Sequence, residues 1–116
     1  MTVQECYQGF GGDYEGVLSR LMKEERVLKY LNKFSMSNDL EQIELALKGE
    51  NYEEAFRLVH NLKGVALNLG LTPLHQSSDI LCEAVRHGKP TIDITGMLSD
   101  LRDTWATVQG AIRQIL

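Results

Sequence analysis

The sequence predicts an all-α domain: an up-and-down antiparallel four-helix bundle with a short extra N-terminal helix laid across it. Three observations predict it. Apolar residues recur at three- and four-residue steps along most of the chain, while strand-like alternation is almost absent. The connections at Gly49–Asn51 and Gly70–Thr72 are so short that the helices they join must run antiparallel. The 116 residues, 43% hydrophobic and 24% charged, suit a single core, so 1–116 is read as one domain.

Residues 1–12, with Gly9-Phe10-Gly11-Gly12 at their end, read as a flexible lead-in. Asp13 then caps the short helix, through Val17, Leu18 and Leu21. A stripe of Leu28, Leu31 and Ser35 follows, and a second one, Met36, Leu40, Ile43 and Leu47, runs one residue out of step with it. Either the helix kinks near Ser35-Met36-Ser37-Asn38, or it breaks and Asn38 caps a new one with Glu41; the sequence favours one long kinked helix over 24–48. Asn51 and Glu54 have the spacing of a capping box for a helix over 52–69, which Gly70 ends in a left-handed conformation. Thr72-Pro73 supplies an N-cap and a first-turn proline for the next helix, which carries Leu74, Ser78, Leu81 and Val85 inward and ends at Gly88. After Pro90, with Thr91 or Asp93 as cap, Ile94, Met97, Leu98, Leu101, Trp105, Val108, Ile112 and Ile115 form the stripe of the last helix.

Composition excludes several classes. Twelve Lys and Arg against sixteen Asp and Glu give a net charge of −4, the wrong sign for a duplex-binding domain, so no nucleic acid partner is expected. No apolar run approaches the length of about 18 residues that spans a bilayer, and residues 1–5 lack the basic-then-apolar pattern of a secretory signal, so no membrane contact and a cytoplasmic location are expected. Cys6 and Cys82 form no close-spaced pair and read as free thiols, and His60, His75 and His87 offer no i, i+4 pair for a metal site. The Gly9–Gly12 run follows no strand and lacks the Gly-Lys-Ser/Thr ending of a phosphate loop. No cofactor of the chain's own is expected.

The helix over 52–69 carries the chemistry. With Leu62 at the centre of its buried face, Ala55, Leu58, Val59, Val65, Ala66 and Leu69 fall within about 60° of it. His60 lies at about 160°, nearly opposite, with Lys63 at about 100°, Phe56 at about 120°, Leu67 at about 140°, Gly64 at about 200° and Arg57 at about 220°. Three things are odd for a solvated face. Gly64 costs a helix interior nearly 1 kcal/mol relative to alanine, so its missing side chain must serve something. Phe56 and Leu67 present apolar surface, and Lys63 and Arg57 set two cations within a turn of the imidazole. One arrangement unites them: a protein docks flat on this face, through Phe56, Arg57 and Leu67, and delivers an anionic group to His60. A phosphoryl group fits, because a neutral imidazole keeps one nitrogen free as a nucleophile at neutral pH, Lys63 can balance the incoming charge, and Gly64 lets the partner approach.

The string His60-Asn61-Leu62-Lys63-Gly64-Val65-Ala66-Leu67-Asn68-Leu69-Gly70 resembles the signature of histidine-containing phosphotransfer (HPt) domains. The resemblance extends through Leu74, Leu81 and Ala84-Val85-Arg86-His87-Gly88, and upstream to Lys33-Phe34 and the Gly49-Glu50-Asn51 turn, covering roughly residues 24–88. It implies a small helical bundle that shuttles phosphoryl groups between histidine kinases, hybrid kinases among them, and aspartate-bearing receiver domains of response regulators. It maps the phosphorylated histidine onto His60 and the motif Lys and Gly onto Lys63 and Gly64. Many members have Leu-Glu in the following helix where this chain has Leu81-Cys82-Glu83. The expectation is therefore a monomeric phosphocarrier rather than an enzyme, with Mg²⁺ supplied by the partner receiver. The alternative is a helical adaptor that binds a receiver or kinase domain without being phosphorylated.

Overall fold

A computed structural model describes all 116 residues. It contains seven helices and no strand: α1 (Val3–Phe10), α2 (Tyr14–Leu21), α3 (Glu24–Ser35), α4 (Asp39–Lys48), α5 (Tyr52–Asn68), α6 (Thr72–Val85) and α7 (Thr95–Arg113). α5 packs against α4 and α6, α6 against α7, and α7 against α3 and α1, in a helical bundle 42 × 22 × 20 Å. Its core joins Val17, Val27, Leu31, Ile43, Val59, Leu62, Leu74, Leu81, Leu101 and Ile112, all fully buried. No helix is long and apolar enough to cross a membrane. Both cysteines are free and buried, and burial pushes each thiol's pKa up.

The N-terminal residues correct the expectation of a flexible lead-in over 1–12. Thr2 Oγ1 accepts the Glu5 N–H at 3.0 Å while the Thr2 N–H donates to Glu5 Oε1 at 2.9 Å, a complete capping box that starts α1. Val3, Cys6, Tyr7 and Phe10 are then buried at i, i+3, i+4 and i+7. The Tyr7 ring packs on Phe10 and Tyr14, and its hydroxyl donates to the Leu69 carbonyl at 2.7 Å, tying α1 to the end of α5. The chain thus opens with two short helices, α1 and α2, and Asp13 caps the second by accepting the Gly16 N–H at 3.0 Å.

The long kinked helix over 24–48 is also corrected: it is two helices. Polar side chains around 35–39 offer the backbone other partners, Ser35 Oγ donating to Asn32 O at 2.6 Å and Ser37 Oγ accepting the Asp39 N–H at 3.1 Å. From α7, buried Gln109 Nε2 donates to the Phe34 carbonyl at 3.1 Å, so a side chain occupies a carbonyl at the break. Asn38 stands at the N-cap position of α4 but makes no side-chain cap. With separate axes the two stripes need not agree: α3 buries Val27, Leu31 and Phe34, α4 buries Ile43 and Ala46, and Met36 between them is 73% exposed. Trp105 is half-buried, its ring 5.2 Å from that of Phe34.

Candidate functional site

α5 is anchored at both ends. At its start Asn51 Oδ1 accepts the Glu54 N–H at 3.2 Å, one half of the expected capping box. The other half is not made, because the Asn51 N–H goes to the Ala46 carbonyl at 2.9 Å and the Glu54 carboxylate turns to Arg57. At its end Gly70 adopts φ +68°, and the Leu71 N–H reaches back to Ala66 O at 2.8 Å. A Cβ at Gly70 would meet the Asp13 carbonyl oxygen at 2.5 Å, so both the conformation and the close approach require glycine. Arg20 of α2 donates to the last carbonyls, Leu67 O and Asn68 O, each at 3.1 Å, setting a cation at the negative end of the helix.

Between these anchors Ala55, Val59, Leu62 and Ala66 are buried, Leu58 and Val65, also expected inward, are half-buried, and His60 stands exposed on the other side. Its imidazole packs beside the Phe56 ring, centroids 5.6 Å apart and planes inclined by 43°. With Asn51, Glu53, Glu54, Phe56 and Arg57 it lines a shallow depression of about 500 Å³. A Cβ built at Gly64 would meet nothing within 4 Å, so the space it leaves is open to solvent and not filled from within. Leu67 is 56% exposed, an apolar side chain on the same face.

The other residues expected here are more engaged than the sequence suggested. Phe56 is half-buried against the core, and the Arg86 guanidinium from just past α6 lies over its ring, 5.2 Å from the centroid. Arg57 is exposed but bonded to Glu54, which holds the Glu54 carboxyl below its ordinary range and pushes the guanidinium's pKa up. Lys63 Nζ lies 2.8 Å from Asp79 Oδ1 on α6, and this contact raises the lysine's pKa and lowers the aspartate's. Arg86 pairs with Glu83 in the same way. Arg57, Lys63 and Arg86 are thus each already paired with a carboxylate.

Sequence reasoning missed the contribution of α6. His75, Asp79, Glu83 and Arg86 follow one another at helical spacing, and this polar stripe was the available signal. His75 is half-buried, its Nδ1 3.2 Å from the Lys63 carbonyl, so it joins α6 to α5 one turn from His60.

The sequence model of the Hpt domain family matches residues 33–114, which include His60, Lys63 and Gly64. The chain belongs to the Hpt domain family. No curated protein and no solved structure matches it. Membership implies a part in histidine phosphotransfer within a two-component phosphorelay. Hpt domains in general are phosphocarriers rather than catalysts, and they interact with receiver domains and kinases. In this Hpt domain the match takes in α4 to α7 whole, and α1 and α2 precede it.

Proposed function

We propose that this Hpt domain carries its phosphoryl group on His60, accepting it from a phospho-aspartate of one receiver domain, of a hybrid kinase for instance, and passing it to the aspartate of another. The observation that supports this most directly is an exposed imidazole one turn from an open glycine on an anchored helix. A free ring nitrogen attacks the phosphorus of the acyl phosphate. The N–P bond forms as the P–O bond to the aspartyl oxygen breaks, and that electron pair leaves with the carboxylate. The ring carries a positive charge until the proton on its other nitrogen returns to water. Attack by a second receiver's carboxylate reverses the sequence.

Lys63 balances the phosphoryl charge, and Gly64 leaves room for the partner's backbone. Leu67 offers the apolar contact, Phe56 its exposed edge and Arg57 a rim charge. Mg²⁺ is supplied by the receiver, and no step here draws on a metal held by this chain. The helices close one core within a single chain, and we take the domain to act as a cytoplasmic monomer. Incubation with a phosphorylated receiver tests the reading: wild type should take up an acid-labile, base-stable label and His60→Gln none. Label persisting on His60→Gln would refute it.

A further inference from the structure

We propose that Asp79 is a positioning residue that sets how tightly the domain holds its phosphoryl group, by holding Lys63 away from it; the proposal rests on His60 being the acceptor. Asp79 lies nineteen positions beyond His60, on the opposing helix. α6 grips Lys63 at two points. His75 meets its main-chain carbonyl at 3.2 Å, and one turn on Asp79 Oδ1 meets its ammonium at 2.8 Å. The pair is neither buried nor fully solvated, the two side chains being 25% and 45% exposed. Farther along this edge of α6 Glu83 and Arg86 pair with each other and act on the Lys63–Asp79 pair more weakly, Glu83 on the lysine and Arg86, with His75, on the aspartate.

A phosphoryl group on His60 changes this balance. Residues i and i+3 are neighbours on a helix surface, so Lys63 is the nearest ammonium on α5 to a phosphoryl on His60. The ammonium faces two competing anions: the Asp79 carboxylate it already holds, and the dianion newly placed one turn away. Turning toward the phosphoryl gives up the aspartate, and the freed carboxylate repels the dianion. Both effects act in one direction. Asp79 weakens the hold on the phosphoryl group and keeps it ready to be passed on, whereas an uncontested lysine would retain it.

The test is the phosphoryl equilibrium between a labelled receiver and the full chain, measured for wild type, Asp79→Asn, Lys63→Met and the double variant. Asp79→Asn should shift the equilibrium toward phospho-His60 by about two- to five-fold, the range of an exposed ion pair, and Asp79→Glu should restore wild-type behaviour. In the Lys63→Met background the effect of Asp79→Asn should fall to less than half, which a merely structural role would not produce. High salt should shrink it as well. In the wild-type protein the Asp79 side-chain carboxyl ¹³C resonance should move on phosphorylation, a readout that needs no variant. Label on His60 with an unchanged or reduced phospho-fraction in Asp79→Asn, or an unmoved Asp79 resonance, would overturn this proposal alone. No label on wild type, or equal label on His60→Gln, would instead overturn the assignment of His60.

Discussion

Gly64→Ala should make the protein more stable and worse at phosphotransfer. Gly64 sits inside α5, where glycine costs about 0.8–1.0 kcal/mol relative to alanine. A Cβ placed there meets nothing within 4 Å, so no intramolecular clash offsets the gain. A domain of this size should therefore gain about 4 °C in Tm. The added methyl stands on the face where the receiver must come close to His60, so the rate of phosphotransfer should fall, and Gly64→Gln should lower it further. Gly110 provides the control. It is also helical with nothing within 4 Å of its Cβ, but it lies on α7, so Gly110→Ala should stabilise similarly and leave transfer unchanged. Circular-dichroism melting gives the first quantity and single-turnover transfer from a phosphorylated receiver the second. Loss of stability in Gly64→Ala would mean that the fold itself requires the glycine. Unimpaired transfer in Gly64→Gln would mean that no partner approaches there.

Tyr7→Phe removes the donor to the buried Leu69 carbonyl and should destabilise the fold by about 1–2 kcal/mol, read as a lower urea midpoint at constant m; no change would mean that α1 does not brace α5. The Lys63–Asp79 pair makes a pH-dependent contribution. Asp79 has a lowered folded pKa, so its contribution is fully present above the ordinary aspartate range, near pH 4, and fades as pH falls through the lowered value. The stability difference between wild type and Asp79→Asn should accordingly be flat near neutrality and collapse in acid; a difference that persists at pH 2 would point to packing rather than charge.

How much of this was legible in the sequence depended on whether the signal was local. Most of α5 was readable, because its apolar period, its Asn51 cap and its Gly70 stop lie in or beside the segment and agree with one another, though the Glu54 half of the capping box is not made. Its outward face followed by subtraction, which is why His60 and Gly64 could be placed in the open. α1 was also written locally, in Thr2-Val3-Gln4-Glu5 and in the spacing of Val3, Cys6, Tyr7 and Phe10, but the glycines at 9, 11 and 12 masked it by suggesting a loop. The break between α3 and α4 was less accessible. Polar residues at 35, 37 and 38 signalled a disturbance, yet a kink and a break share that local pattern, and the Phe34 carbonyl is claimed by Gln109, 75 positions away. The pairing of Lys63 with Asp79 and the stacking of Arg86 on Phe56 depend on how α6 crosses α5. Lys63 and Arg57 could be read from α5 alone, but the partner of Lys63 could not.

One spectrum answers directly which atom carries the phosphoryl group. Protein with ¹⁵N-labelled histidines, phosphorylated by a receiver, should show a one-bond ³¹P–¹⁵N coupling at the ring of His60, with the rings of His75 and His87 unshifted by any such bond. A coupling at either of those rings, or a phosphorus signal with no nitrogen attached, would contradict it.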